Sequence, residues 1–148
     1  MKAAATAILA AILSLAIATS AAAESGGWNV RTRKDPMTDR METSAVLMPR
    51  DGGTALLYVG CLNGRVTPRL VYARPIGYVQ VGGSWRLDDA PVRSKFVALS
   101  DDGTQAWLEV TPAQIAKARR LRAQVGSQPI SDYNLTGAAE ALQGIRCK

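Results

Sequence analysis

The chain contains no histidine among its 148 residues and only two cysteines. The missing imidazole removes Ser-His-Asp and Cys-His catalysis in their usual forms, and with it the commonest zinc ligand. Neither the strand–GxxxxGK[ST]–helix phosphate loop nor a GxGxxG fingerprint occurs. There is no internal repeat, no low-complexity tract and no domain linker. These absences point away from metal-assisted, nucleotide-dependent and thiol chemistry, and no cofactor or metal site is expected.

What is present starts at the N-terminus. Met1-Lys2 gives a short positive start, and Ala3–Ala18 carries no charge and is rich in Ala, Ile and Leu. Thr19-Ser20-Ala21-Ala22-Ala23 then offers small residues at Ala21 and Ala23, the pattern a signal peptidase cuts. Residues 1–23 are expected to be an export signal. A membrane anchor is the competing reading, but the run falls short of the roughly 20 apolar residues a span needs. No basic stop-transfer cluster follows it either. The mature chain is then residues 24–148, a single domain with room for a hydrophobic core and no transmembrane segment. Its destination is the periplasm or the exterior. Only Lys2 is lost among the charged residues, leaving 17 basic against 12 acidic residues, a net charge of +5. That balance favours contact with anionic envelope components or acidic proteins. Export makes nucleic acid a poor partner.

Cys61 and Cys147 both lie in the mature part. An even count in an oxidising compartment argues for a bridge between them, with two free thiols as the alternative.

Turn signals recur at Asp35-Pro36, Asp51-Gly52-Gly53, Asn63-Gly64, Gly82-Gly83 and Asp102-Gly103, separated by runs rich in Val, Leu, Tyr and Trp. This spacing predicts a mainly β protein, an antiparallel sandwich or barrel-like domain with one or two short helices, the last near the C-terminus. Asn63-Gly64 is a type I′ hairpin turn, because both central residues need positive φ. The two-residue loop pairs Leu62 with Arg65, and by continuation Cys61 with Val66, Val59 with Pro68, Leu57 with Leu70 and Ala55 with Tyr72. Period two puts those apolar residues on one face, directed to the core with Cys61 inside. Leu56, Tyr58, Gly60, Leu62, Arg65, Thr67, Arg69 and Val71 fall on the other. Pro68 cannot donate to a ladder, so its strand is an edge or bulged there.

Further strands are predicted at Trp28–Arg33, Glu42–Met48, Ser84–Asp88, Ser94–Leu99 and Gln105–Val110. Thr111-Pro112-Ala113-Gln114 is a capping box that starts a helix through about Ala118. Thr136 is placed to cap a second helix, whose Ala138, Ala141, Leu142 and Ile145 share a face. Arg120–Val125 alternates like a strand, with a longer helix ending at Gly126 as the rival reading.

The densest charge cluster is Lys117, Arg119, Arg120 and Arg122. It is the candidate patch for an anion or an acidic partner, set against an ordinary solvated helix end. Asp88-Asp89 and Asp101-Asp102 are the only adjacent carboxylate pairs. They suit turn formation better than the flanking arrangement a glycosidase needs. Trp28, Trp85 and Trp107 are expected in the core, an exposed one being a potential binding anchor.

Several segments, in order, resemble the VasI/TagO-type accessory proteins of type VI secretion and their periplasmic relatives. They are Trp28-Asn29-Val30, Asp35-Pro36-Met37-Thr38-Asp39, Leu57-Tyr58-Val59-Gly60-Cys61, Trp85-Arg86-Leu87-Asp88-Asp89 and Ser100-Asp101-Asp102-Gly103. The closing Tyr133-Asn134-Leu135-Thr136-Gly137-Ala138-Ala139-Glu140-Ala141-Leu142 with Cys147 is similar to that family's end. Gly60 stands where the family often has Arg. The resemblance implies a small β-rich envelope domain that binds or positions other components, with no catalytic residues to carry over. The function expected is therefore a non-enzymatic periplasmic or secreted accessory or binding protein. An invasion-associated or inhibitor-like secreted protein, or a small carboxylate-dependent envelope hydrolase, are the alternatives.

Overall fold

The computed structural model describes residues 27–147, so the expected export signal lies outside the described residues. The fold is mainly β. Nine strands form one antiparallel sheet in the order β1-β2-β3-β4-β7-β6-β5-β8-β9. They are β1 (Asn29–Lys34), β2 (Met41–Leu47), β3 (Ala55–Leu62), β4 (Arg65–Tyr72), β5 (Gln80–Leu87), β6 (Arg93–Leu99), β7 (Gln105–Trp107), β8 (Arg120–Val125) and β9 (Ser131–Asn134). Two short helices, α1 (Pro112–Lys117) and α2 (Ala138–Gln143), complete it.

The β3–β4 hairpin has the register its turn dictates, from Leu62 opposite Arg65 to Ala55 opposite Tyr72. Asn63 and Gly64 both have positive φ, 50° and 74°. Counting from the hydrogen-bonded pair that closes the turn, Val59–Pro68 is a non-hydrogen-bonded pair. The Pro68 nitrogen therefore faces away from β3. On that far side β7 pairs only with Leu70 and Val71, so nothing needs the missing N–H. The core face holds as derived along Ala55, Leu57, Val59, Leu70 and Tyr72, all buried. Cys61 departs from it and is only partly buried. It is the last core-side residue before the turn, where the strand runs out towards the margin of the core.

Gly82-Gly83 is not a turn but lies inside β5. A Cβ on Gly83 would fall on the Val97 side chain of β6, so the glycine marks close packing between neighbouring strands. For the same reason β5 begins at Gln80 rather than Ser84. Conversely β7 ends at Trp107, because the Val110 N–H turns back to the Leu108 carbonyl at 2.8 Å and the ladder stops.

Helix α1 has the full capping box. The Gln114 N–H donates to the Thr111 hydroxyl at 3.2 Å, and the Thr111 N–H to the Gln114 side chain at 2.9 Å. Ala118 is extended, and the chain passes straight into β8, which pairs with β5 and β9. Strand alternation decides Arg120–Val125: Leu121, Ala123 and Val125 are buried in the core. The cap of α2 differs from expectation. Gly137, in the left-handed region, occupies the N-cap, and the Thr136 hydroxyl is bonded to Asn134 Oδ1 at 2.7 Å. Ala138, Ala141 and Ile145 are buried as their spacing requires. The helices pack on each other, with α1 touching β4 and α2 touching β2.

The sheet curls until its far end returns to the β2–β3 connection. The Arg50 N–H donates to the Asp132 carbonyl at 2.7 Å, and the buried Tyr133 hydroxyl to the Ala55 carbonyl at 2.7 Å. Cys61 and Cys147 form the expected disulfide, closing 86 residues of sequence. It ties the end of β3 to the segment after α2.

Candidate functional site

Pairing in the first half of the sheet builds a polar surface opposite the core. Asn29 lies beside Val46, Val46 beside Tyr58, and Tyr58 beside Arg69. Arg31 lies beside Ser44, one step along the same two strands. Because side chains alternate, these residues and Arg33 share the face that Ala45, Val59 and Leu70 do not use. The result is a groove of about 690 Å³. Arg31, Arg33, Arg69 and Tyr58 line it together with Ser44 and Gln105, and Val46 and Val71 supply apolar floor. Three arginines contribute to its wall and no carboxylate does.

Arg69 is the centre of this arrangement. Its guanidinium carbon sits 4.4 Å from the centroid of the Tyr58 ring. Its Nε and Nη1 are shut off from solvent and have no acceptor among the described residues. A cation–π contact is worth about 0.5–2 kcal/mol, but it gives these two N–H donors no hydrogen-bond acceptor. Buried donors without a partner cost about 1–3 kcal/mol. Arg31 is steadied by Asn29, whose Oδ1 accepts from its Nε at 3.2 Å. Arg33 has a loose cross-strand pair with Glu42 at 3.8 Å, both largely exposed.

The cluster singled out in the sequence spans the end of a helix, a connection and a strand. Lys117 is at the end of α1, Arg119 lies between helix and strand, and Arg120 and Arg122 share the open face of β8. Arg120 is engaged with Asp132, at 2.8 and 2.5 Å through Nε and Nη2. That bonding, more than the accompanying charge attraction, holds the Asp132 carboxyl below its ordinary range. Arg122 donates through Nη2 to the Asp88 carbonyl at 3.1 Å, and its Nε lacks an acceptor. With Arg86 it lines a hollow of about 280 Å³ beside Val92 and Ile130.

The adjacent carboxylates are turn formers. Asp88, at φ 47°, accepts the Arg119 and Arg120 backbone N–H groups, both at 2.9 Å. Asp102 accepts from Ser100 Oγ and from the Thr104 N–H and hydroxyl. The Ser100 bond is the first cause of its pKa falling to about 2. Trp28 and Trp85 are core residues, whereas Trp107 is half-buried on the open face, beyond Ala106. Comparison with protein-family models, with curated proteins and with solved structures finds no match to this chain.

The groove was missed in the sequence although half of it was within reach. The hairpin register already sets Tyr58 against Arg69 on the face turned away from the core. What brings Arg31 and Arg33 over them is the β1–β2–β3 pairing, which no turn motif specifies. Among the described residues no helix is long and apolar enough to cross a membrane.

Proposed function

We propose that this is a non-enzymatic, exported accessory or binding protein of the cell envelope, acting in the periplasm or outside the cell through its basic open face. The observation that carries this reading is the groove, to whose wall Arg31, Arg33 and Arg69 contribute and no acid does. The disulfide is compatible with an oxidising compartment. Of the paired carboxylates, Asp88 and Asp102 accept bonds from the chain's own amides and hydroxyls. The resemblance to type VI secretion accessory proteins suits a module that positions other envelope components.

The test is co-sedimentation of the mature protein with purified, uncharged-detergent-washed cell-wall polymer. Binding is expected at low ionic strength and should weaken strongly by roughly 0.5 M salt, where the screening length is only a few ångströms. It should be lost in the Arg31→Ala/Arg33→Ala/Arg69→Ala variant. Binding that ignores both salt and these substitutions overturns the reading. So does release of soluble fragments that stops when Asp88, Asp89, Asp101 and Asp102 are replaced by Ala.

A further inference from the structure

We infer that the free edge of β1 is a docking site for an acidic, extended segment of a partner protein, which adds to the sheet as a further antiparallel strand. This rests on the reading of the protein as a binding module and names a partner for the rim of its basic face.

The first observation is where the main chain of β1 points. The Asp35 N–H donates to the Arg40 carbonyl at 2.7 Å. Asp35–Arg40, next to Lys34–Met41 in the register, is therefore a hydrogen-bonded pair. Such pairs alternate, so Asn29, Arg31 and Arg33 bond to β2, and Val30, Thr32 and Lys34 do not. The far side of β2 agrees. Ala45, opposite Val30, also lies opposite Val59, whose main chain is turned away from β4 in the non-hydrogen-bonded Val59–Pro68 pair. The N–H and C=O groups of Val30, Thr32 and Lys34 thus point off the sheet. No other hydrogen bond among the described residues takes them up.

The second observation is that only one end of the sheet is left open. Exposed edges invite pairing, and folds usually cover them. At the other end the Arg50 N–H caps the Asp132 carbonyl of β9. Strand β1 has no such cover. All six of its residues are exposed, it holds no proline, and its pairing with β2 is unbroken by a bulge. Val30, on the core side, is 47% exposed.

Charge selects the occupant. Arg31 has no ion pair among the described residues, and Arg33 only the loose one with Glu42 at 3.8 Å. Lys34 is held by Asp39 at 2.7 Å. Pairing of β1 with a second copy of itself sets cations against cations, which is unfavourable. In an added antiparallel strand, the residues opposite Arg31 and Arg33 occupy non-hydrogen-bonded positions, where cross-strand side chains come closest. Carboxylates there neutralise both arginines, and an apolar residue opposite Val30 covers it. The segment therefore reads polar-acid-polar-acid-apolar, starting opposite Lys34. Its main chain supplies affinity and its alternating side chains specificity.

The experiment titrates the mature, disulfide-intact protein with the end-blocked peptide Thr-Glu-Thr-Glu-Val and follows backbone amides by NMR and hydrogen exchange. At saturation the Val30, Thr32 and Lys34 amides should gain at least about tenfold protection, as new hydrogen bonds require. N-methylation of the central Thr removes an N–H aimed at β1 and should weaken binding at least about tenfold. N-methylation of both Glu residues, whose N–H groups point away, should leave affinity unchanged at identical charge. The Arg31→Glu/Arg33→Glu variant should prefer Thr-Lys-Thr-Lys-Val. Thr32→Pro deletes an edge donor that β2 does not use and should abolish peptide binding; if circular dichroism shows it misfolded, the methylated peptides carry the test on the wild type. No binding of the parent peptide, equal affinity for the two methylated peptides, or protection of the three amides that rises with protein concentration and no peptide, the mark of a β1–β1 dimer, overturns the inference. Because polymer co-sedimentation is measured separately, its survival under any of these results leaves the binding-module reading standing without this partner.

Discussion

Two of the four tyrosines carry their hydroxyls into the core. Burial pushes Tyr72 up to about 12 and is the first cause of the rise at Tyr133. Tyr133 also donates to the Ala55 carbonyl across the curled sheet. Both groups have folded pKa values above the unfolded value near ~10. Their contribution is thus fully present below that pH and is lost as pH rises through the folded values. On alkaline titration, part of the tyrosinate absorbance should appear only together with loss of the circular-dichroism signal, above about pH 10. Ionisation of all four tyrosines ahead of unfolding would contradict this. Arg69 shows the opposite situation at the same scale. It is a charged group in contact with the Tyr58 ring, and its buried Nε and Nη1 have no acceptor among the described residues.

Among the elements, those with a local cause were legible. The β3–β4 hairpin follows from Asn63-Gly64, and α1 from Thr111 and Gln114. Since both capping-box bonds form, Thr111→Ala should cost about 1 kcal/mol, seen as a lower urea midpoint with an unchanged slope. Elements whose signal was ambiguous were settled by neighbours. Arg120–Val125 is a strand because β5 and β9 flank it on both sides. Gly82-Gly83 looked like a turn and is strand interior, because Val97 needs the space above Gly83. The short β9 (Ser131–Asn134) had no sequence signal of its own. Its Asp and Asn read as loop residues, and only pairing with β8 makes it a strand.

At the level of the molecule, the disulfide and the curl of the sheet act together. The bridge closes a loop of 86 residues containing most of the later strands. On the chain-entropy argument, the Cys61→Ser/Cys147→Ser variant should be less stable by about 4 kcal/mol. Reductant should bring the wild type to the same urea midpoint. An unchanged midpoint in the double variant would show that α2 is held by Ala138, Ala141 and Ile145 alone.

By itself, the sequence determined what depends on near neighbours and on counts: the mainly β class, the hairpin register, the α1 cap and the pairing of the only two cysteines. Each follows from backbone sterics, period-two alternation or the lack of any other partner. Tertiary structure decided the rest. It put Arg120 and Arg122 together on the open face of β8, placed Asp132 against Arg120, and left Cys61 at the margin of the core. It also brought Arg31 and Arg33 of β1 to the same groove as Arg69 of β4. The physical reason is that a strand's partners across the sheet are chosen by the packing of the whole core, so a surface assembled from several strands has no signature in any one of them.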